Sequence, residues 1–247
     1  MMKDNMEKIT SLQNGRIKQW MKLRQKKERD RTGLFLAEGE HMTQEALDAG
    51  RVRTLVTDLD DPVFEAPETV FVTEPVMKKL SESVSGTHYI AVCRKPDPEV
   101  RSYNRLLLLD GIQDPGNIGT MVRTAVSFGF DAVWCSPDTC DIYNEKALRS
   151  TQGAVFHIPV IYASLPDVIG ELKKENVCVI ASALRNAEEM SQIDSSDRMA
   201  FIIGSEGQGV SRKCLDAADR ILKIEMDGFE SLNAGVAAGI IMYTYRK

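Results

Sequence analysis

The stretch of residues 110–125, DGIQDPGNIGTMVRTA, decides the fold because it joins an apolar run to an amphipathic helix through a turn. Residues 105–109 (RLLLL) come directly before it and are typical of a strand that is buried on both faces. Apolar side chains then recur at the spacing of one helix face, namely Ile118, Met121, Val122, Ala125 and Phe128. Another face carries Gly116, Thr120, Arg123 and Ser127, so Arg123 is predicted to project where a ligand can meet it.

Two further turns also follow apolar runs. Residues 204–209 (GSEGQG) come after the run at 199–203, and three glycines in six residues permit close approach of the backbone to a ligand. Residues 231–239 (SLNAGVAAG) come after the run at 221–224, and their small side chains let a helix approach another backbone. Each turn also has an ordinary interpretation, with Asn117 and Ser231 as helix caps, Arg123 as a surface charge and GSEGQG as a common glycine-rich turn.

The second part of the chain alternates apolar strands with helices. Strands are predicted at 105–109, 132–135, 177–181, 199–203 and 221–224, and helices at 118–128, 144–151, 165–175 and 232–245. Apolar strands separated by helices indicate a parallel sheet that is covered on both faces. Function in such a sheet lies on the loops at the carboxyl ends of the strands, where the three turns fall.

The first part of the chain is predicted to form a smaller α/β unit. It begins with a basic helix and continues with strands at 34–37, 54–57, 70–72 and 89–93 and helices at 40–49 and 74–83. The polar, proline-containing stretch around 95–104 has the character of a linker. We therefore predict two domains, residues 1–98 and residues 104–247.

Positive charge is concentrated at the N-terminus. The net charge is −5, but residues 1–31 carry ten basic and four acidic side chains, which leaves −11 for the remainder. The segment 18–31 (KQWMKLRQKKERDR) suits an RNA phosphate backbone, although a solvated helix face has the same composition. The candidate RNA contacts are Arg16, Lys22, Arg24, Lys26, Lys27 and Arg31.

Composition excludes several other classes. The hydrophobic content of 43% is that of a globular protein. The first residues lack a secretory pattern, and the longest apolar tract, 234–243, falls short of the roughly 20 residues that span a bilayer, so we expect a cytoplasmic protein. Five scattered cysteines without a CxxC pair and only three histidines predict no metal site. No GxGxxG follows the first strand of the second part, which disfavours an NAD-dependent enzyme.

Taken together, the three turns resemble the motifs of a known family. N-I-G-x-x-x-R-T-A at 117–125, G-S-E-G-x-G at 204–209 and S-L-N at 231–233, in this order, are similar to those of the SpoU (TrmH) branch of the SPOUT methyltransferases. This resemblance covers residues 104–247. The region before it, with GLFLAEG at 33–39, is similar to the ribosomal-protein-like substrate-binding domain that precedes many family members.

The resemblance implies a fold and a cofactor. Family members have an α/β domain whose C-terminal segment threads a deep trefoil knot, although true knots are nearly absent from proteins. The implied fold class is therefore a SPOUT-type parallel sheet with a C-terminal trefoil knot, preceded by a small α/β ribosomal-protein-like substrate-binding domain. The knot forms the pocket for S-adenosylmethionine, and the implied cofactor residues are Gly204, Ile224 and Leu232, with Leu184, Ser205 and Met226 as further candidates.

The resemblance also implies a catalytic set. The catalytic arginine of the family corresponds to Arg123, accompanied by Asn117, Glu206, Ser231 and Asn233. The arginine either deprotonates the ribose hydroxyl or clamps the adjacent phosphate and stabilises the developing alkoxide. A guanidinium, which does not give up its proton in proteins, is better suited to the second role. Family members dimerise, and the small-residue helix after Ser231 is the expected part of the interface.

The implied reaction is S-adenosylmethionine-dependent 2'-O-methylation of a ribose in RNA. The N-terminal domain favours 23S ribosomal RNA as the substrate, by analogy at the level of domains. Two alternatives remain open, a transfer-RNA 2'-O-methyltransferase and a non-catalytic RNA-binding ribosome-assembly protein. The sequence departs from the family pattern at Glu225, where many relatives have Pro, and at residues 234–235 (AG), where Val-Ser is frequent. These departures bear on the shape of the cofactor pocket.

Overall fold

The computed structural model describes residues 8–83, 86–96, 98–227 and 231–246, and these are the residues discussed below. Contacts between them divide the chain into two compact units, Met1–Pro96 with Tyr143–Phe156 and Asp97–Ile142 with His157–Lys247. The first unit thus takes in a stretch that the sequence analysis placed in the second domain. The predicted bounds, 1–98 and 104–247, concern separable domains and stay a prediction.

The first unit is built on a four-stranded sheet. Its strands are β1 (Leu34–Glu38), β2 (Val52–Thr57), β3 (Thr69–Phe71) and β4 (Tyr89–Arg94), in the order β1-β4-β2-β3. β4 pairs antiparallel with β1 and β2, whereas β2 and β3 are parallel. Its helices are α1 (Gly15–Lys22), α2 (Lys26–Thr32), α3 (Glu40–Asp48), α4 (Glu74–Leu80) and, later in the chain, α6 (Glu145–Thr151).

An apolar cluster joins α1 and α4 to the sheet. Ile17 and Trp20 lie three residues apart on one face of α1 and are buried with Met77 and Leu80 of α4 and Ile90 of β4. Full burial of an apolar side chain of this size contributes about 1.5–3 kcal/mol to stability. The apolar positions of the basic segment therefore serve the core, and its charged positions are left at the surface.

The basic segment forms two helices and not one. α1 ends at Lys22 and α2 begins at Lys26, because the chain turns between them. The guanidinium of Arg29 stabilises this turn by donating to the carbonyl oxygens of Leu23 at 2.8 Å and Arg24 at 2.7 Å. Arg29 is only 4% exposed, so one of the ten basic side chains of the N-terminal segment is part of the fold.

The second unit is built on a seven-stranded sheet. Its strands are β5 (Arg105–Asp110), β6 (Ala132–Cys135), β7 (Val160–Tyr162), β8 (Cys178–Ser182), β9 (Glu188–Glu189), β10 (Met199–Gly204) and β11 (Arg220–Lys223). The order is β7-β6-β5-β10-β8-β11-β9, and each of these neighbouring pairs is parallel. The predicted α/β fold with a parallel sheet is confirmed. The direction of winding reverses between β5 and β10, which is where open α/β sheets bind ligands.

The helices of the second unit cover this sheet. They are α5 (Pro115–Ser127), α7 (Leu165–Lys174), α8 (Arg212–Ala217) and α9 (Ala234–Thr244). The predicted apolar stripe of α5 is buried at Ile118, Met121, Val122 and Ala125. The predicted strands agree with the structure to within a residue or so at each end. β7, β9 and α8 have two to six residues and are too short to display a period, so none of them was predicted.

Arg105, the first residue of β5, holds the C-terminal end of α9 against the sheet. Arg105 is 6% exposed, and its guanidinium donates to the carbonyl oxygens of Tyr245 at 2.5 Å and Asp197 at 2.9 Å and to the hydroxyl of Ser195 at 3.0 Å. The ring of Tyr245 stacks on Phe201 of β10, with 4.9 Å between centroids. These contacts hold the C-terminal end of α9 against the first and central strands.

The cysteines lie in described parts of the chain and are all free thiols. Burial raises the pKa of Cys140 and of Cys214 to about 11, so both are protonated at neutral pH. Among the described residues, no group of three or more His, Cys, Asp or Glu side chains is placed to hold a metal ion. In the same part of the chain, no helix combines the length and apolar character needed to cross a membrane.

Candidate active site

The three turns share one edge of the seven-stranded sheet. Gly204, the last residue of β10, pairs with Asp110, the last residue of β5. On the other side of β10, β8 continues the parallel register, and Ser182 of β8 pairs with Leu222 of β11. The loops that follow β5, β10 and β11 therefore leave the sheet side by side. Strand register thus places the first turn beside the second, although Asp110 and Gly204 are 94 residues apart in sequence.

The first turn is closed by a helix cap on Asp114. Its carboxylate accepts from the backbone N–H groups of Gly116 at 2.5 Å and Asn117 at 3.2 Å. The interpretation of Asn117 as the cap is wrong, because α5 begins at Pro115 and Asn117 lies inside its first turn. The side-chain amide of Asn117 is consequently available for contacts outside its own helix.

Asn117 joins the first turn to the second. Its Nδ2 donates a hydrogen bond to Oε1 of Glu206 in the GSEGQG turn. An amide that donates to an ionised carboxylate makes a charge-assisted hydrogen bond, which is stronger than a bond between neutral groups. This bond fixes a carboxylate beside the carboxyl ends of β5 and β10.

Asn233 joins the third turn to the same place. Its Oδ1 accepts from the backbone N–H groups of Gly235 at 2.9 Å and Val236 at 3.3 Å, which makes it the cap of α9. The interpretation of Ser231 as this cap is therefore wrong. A Cβ at Gly235 would lie 3.2 Å from Oδ1 of Asn117, so the small residue lets α9 begin against the first turn of α5.

Four of the five predicted catalytic residues lie on these linked elements, and Ser231 is less well defined. Asn117 binds Glu206, and Asn233 caps the helix whose Gly235 lies against Asn117. Ser231 is exposed, and no hydrogen bond within the described chain joins it to those three residues. The roles of all five in catalysis stay a prediction.

Arg123 lies on the exposed face of α5, six residues after Asn117. A helix rises 1.5 Å per residue, which places the two residues roughly 9 Å apart along its axis. Within the described residues the guanidinium makes no hydrogen bond or ion pair, whereas the carbonyl oxygen of Arg123 accepts from the hydroxyl of Ser127. The predicted exposed face of α5 is present, and its cation is available to bind an anion.

The glycine-rich turn folds back tightly on the end of β10. The backbone N–H of Gly209 donates to the carbonyl oxygen of Ser205 at 2.8 Å, and that of Gln208 reaches the Ser205 hydroxyl at 3.3 Å. A Cβ at Gly204 would lie only 2.0 Å from the carbonyl carbon of Gly209. A Cβ at Gly207 would meet no atom within 4 Å. The turn therefore needs glycine at its base and leaves open space at its tip.

The other predicted cofactor residues lie after β8 and β11 at the same edge. Leu184 is 56% exposed, while Ile224, Met226 and Leu232 are half-buried. Ala183 donates to the carbonyl oxygen of Leu222 at 2.9 Å, which keeps the loop after β8 alongside the loop after β11. These apolar side chains are partly exposed, and the main chain beside them no longer makes the hydrogen bonds of the sheet. Such a surface suits an adenosine, which needs apolar contact and backbone hydrogen bonds. The residues present thus fit S-adenosylmethionine.

Sequence reasoning missed two buried hydroxyls that support the first turn. The hydroxyl of Ser136, in the loop after β6, accepts from the backbone N–H of Gly111 at 2.8 Å. It lies 2.9 Å from the hydroxyl of Thr139, which donates to the carbonyl oxygen of Leu109 at 3.0 Å. Both side chains are at most 5% exposed. Ser136 follows an apolar strand directly, which is the signal that could have identified it.

Asp110 is a second support that the sequence analysis did not single out. It is 8% exposed, and its carboxylate accepts from the backbone N–H of Ser211 at 2.7 Å. Ser211 lies at the beginning of α8, directly after the glycine-rich turn. The bond closes both ends of that turn on β5, because Gly204 is already paired with Asp110 in the sheet.

Three of the six predicted RNA-binding residues line one groove of the first unit. Arg16 and Lys22 of α1 and Arg31 of α2 surround a groove of about 680 Å³. Arg16 pairs with Glu68 at 2.7 Å and lies over the ring of Trp20. The structure therefore gathers part of the N-terminal charge on one surface.

The other three RNA-binding candidates do not line this groove. The guanidinium of Arg24 donates to the carbonyl oxygens of Lys79, Leu80 and Ser81 and pairs with Glu82, all at the end of α4 or just after it. Lys26 pairs with Asp30 on its own helix, and Lys27 is exposed. Arg24 thus has a structural role at the C-terminus of α4. Its contact with RNA, like that of the other five, stays a prediction.

Comparison with known proteins agrees with this geometry. Residues 104–243 match the SpoU rRNA Methylase family, and residues 14–91 match the MRM3-like substrate binding domain. The chain is 40% identical to the 23S rRNA (guanosine(2553)-2'-O)-methyltransferase RlmP of Bacillus subtilis, over 98% of this chain and 100% of that protein. The rRNA methyltransferase of Sinorhizobium meliloti superposes with a TM-score of 0.86 at 28% identity and 96% coverage of both chains, and its AdoMet-bound form with 0.85.

The fold and its linked turns are those of an RNA methyltransferase that carries a separate substrate-binding domain. The chain belongs to the SpoU rRNA methylase family. The predicted family and the predicted class of enzyme are confirmed. The N-terminal match also confirms that a substrate-binding domain precedes the methyltransferase domain.

Proposed function

We propose that this chain transfers the methyl group of S-adenosylmethionine to a ribose 2'-hydroxyl of 23S ribosomal RNA. The observation that carries the proposal is the junction at which Asn117 of the first turn binds Glu206 of the second and stands against Gly235 of the third. The full-length similarity to RlmP supports 23S RNA as the substrate, with the nucleotide equivalent to guanosine 2553 as the first to examine.

S-adenosylmethionine supplies an electrophilic methyl group on a sulfonium. The AdoMet-bound neighbour from S. meliloti supports this cofactor. The residues that would hold it are Gly204, Ile224 and Leu232, with Leu184, Ser205 and Met226 beside them. Gly204 keeps the backbone of the second turn close, and the apolar side chains exclude water from one side of the pocket.

Arg123 binds the phosphate next to the target ribose. Its exposed guanidinium, which has no partner within the described chain, presents a fork of donors that matches phosphate oxygens. In this position it stabilises negative charge on the attacking 2'-oxygen while the proton of that hydroxyl passes to solvent. Asn117 and Asn233 hold the turns in place, while Glu206 and Ser231 provide polar groups near the reacting hydroxyl. Arginine side chains do not lose their proton in proteins, so Arg123 acts as a fixed cation and not as the base.

Two further features belong to this proposal. The C-terminal segment forms a trefoil knot, which is supported by the match of residues 104–243 to the SpoU rRNA Methylase family. The chain forms a homodimer through α9, which exposes the apolar side chains of Val236 (51% exposed) and Tyr243 (56% exposed). The protein acts in the cytoplasm, where ribosomal RNA is modified.

Mapping of 2'-O-methyl groups in RNA from a deletion strain tests the proposed function. Loss of one mark in 23S RNA, restored by the wild-type gene and not by Arg123→Ala, is the expected result. Loss of a mark in transfer RNA instead would assign the other substrate. If no mark is lost and calorimetry detects no binding of S-adenosylmethionine, the protein is a non-catalytic RNA-binding protein and the proposal fails.

A further inference from the structure

The groove of the first unit contains a cation that no sequence pattern singles out. Besides Arg16, Lys22 and Arg31, the groove is lined by Arg53 of β2. We call these four side chains the basic groove. They come from two helices and a strand, so the groove exists only in the folded unit. Its volume of about 680 Å³ is large enough for more than a single anion.

A β-bulge aims Arg53 into the groove. The pairing of β2 with β4 shifts between Val52, opposite Cys93, and Thr54, opposite Val92, so Arg53 is the extra residue. The extra residue of a bulge is not paired with the neighbouring strand, and bulges commonly redirect a side chain. Arg53 is exposed whereas the other five residues of β2 are buried. The strand is therefore distorted at the position of its one cation.

The charges of the groove leave an excess of positive charge. Its lining includes two carboxylates, Glu28 and Glu68, against four cations. The pairs Arg16–Glu68 and Arg31–Glu28, both at 2.7 Å, are solvent-accessible, and such pairs contribute little energy that an incoming phosphate would have to replace. Within the described residues, the side chains of Lys22 and Arg53 make no hydrogen bond or salt bridge. In addition to the hydrogen bonds from the paired arginines, their charges nevertheless help to lower the pKa of the groove carboxyl groups, Lys22 that of Glu28 and Arg53 that of Glu68.

We infer that the basic groove binds the phosphate backbone of the RNA substrate, with Arg53 and Lys22 as its principal contacts. This inference rests on the proposed function and specifies which surface of the substrate-binding unit meets RNA. Guanidinium and ammonium groups that neutralise phosphates release condensed counterions, which makes the affinity depend on salt. An open groove with several cations on its rim and no enclosed apolar pocket suits a polyanion that passes along it.

Substitution of single cations in the full-length protein tests the inference. The variants are Arg53→Gln, Lys22→Gln and the double variant, and Lys79→Gln on α4 is the matched control, because it removes the same charge from the same unit outside the groove. Binding of a 23S RNA transcript is measured at several salt concentrations. Each groove variant should lower the slope of log affinity against log salt by about 1, and the double variant by about 2.

Kinetics supply a second measurement. The KM for RNA should rise in the groove variants while kcat and the affinity for S-adenosylmethionine stay at the wild-type values, because the lost contacts lie far from the reacting atoms in sequence and act on RNA binding alone. Lys22 is exposed on α1 and is not part of the bulged strand, so Lys22→Gln tests the groove even if Arg53→Gln disturbs β2.

The outcomes separate the groove from the catalytic proposal. If wild type methylates 23S RNA and the double variant has the KM and salt slope of Lys79→Gln, the groove does not contact RNA and the inference is overturned. If wild type methylates no RNA, the proposed function fails, and the salt slopes still show whether the groove binds RNA. If the slopes are unchanged but a bound protein partner is lost, the groove serves that partner instead.

Discussion

Replacement of Gly204 by alanine tests whether the glycine-rich turn closes as described. A Cβ at Gly204 would lie 2.0 Å from the carbonyl carbon of Gly209 and 2.1 Å from the nitrogen of Val210. Non-bonded heavy atoms are most stable at about 3.5–4.0 Å, so the main chain of the turn must move by more than about 1 Å. Overpacking costs about 1–3 kcal/mol. We expect the upper part of that range, because backbone atoms cannot rotate away as a side chain can.

The measurement is the Tm of the purified protein, together with calorimetry of S-adenosylmethionine binding. A loss of about 2–3 kcal/mol corresponds to a fall of roughly 4–12 °C for a chain of this size. Gly207→Ala is the matched control, because its Cβ would meet nothing within 4 Å and its φ is not positive. Its Tm should equal that of wild type. If Gly204→Ala also keeps the wild-type Tm and cofactor affinity, the close approach of the two backbone segments is refuted.

Three further predictions concern the linked turns and the C-terminus. Arg123→Ala should abolish methyl transfer and leave S-adenosylmethionine affinity nearly intact in calorimetry, and normal turnover would exclude the assigned role. Asn117→Asp places a second carboxylate beside Glu206 and should lower turnover about tenfold, equivalent to about 1.4 kcal/mol. The added change Glu206→Gln should restore turnover. Absence of this rescue would show that the hydrogen bond between residues 117 and 206 is unimportant. Arg105→Met should lower the Tm by roughly 6–12 °C, about 3 kcal/mol, because buried carbonyl groups such as that of Tyr245 lose their donor; an unchanged Tm would contradict that reading.

Much of the second unit could be predicted because its signals are local. Runs such as 105–109 and 199–203 are apolar without alternation, which only strands buried on both faces require, and the structure buries them all. The same rule placed the three turns at the carboxyl edge. The apolar stripe of α5 also followed from the helical period alone. These features depend on residues within one turn or strand, and the sequence displays them directly.

The contacts that complete the site depend on pairs of residues far apart in sequence. Asn117 and Glu206 are separated by 89 residues, and Asp110 and Ser211 by 101. No local pattern records such a pair. Errors arose where two local solutions compete, as at the cap of α5, where Asp114 was overlooked in favour of Asn117. The bulge at Arg53 could not be predicted from the sequence for the same reason, because it is defined by the pairing of β2 with β4.

The contacts among Asn117, Glu206 and Gly235 couple the positions of the three turns. Asn117 is held on one side by Glu206 and has Gly235 on the other, where even a methyl group would come within 3.2 Å of its Oδ1. Glu206 in turn belongs to a turn whose two ends are fixed to Asp110. A displacement of any one turn is therefore passed to the others through short contacts. Because cofactor candidates lie on the second and third turns and Arg123 on the helix of the first, changes that loosen cofactor binding at this edge should also misplace the arginine.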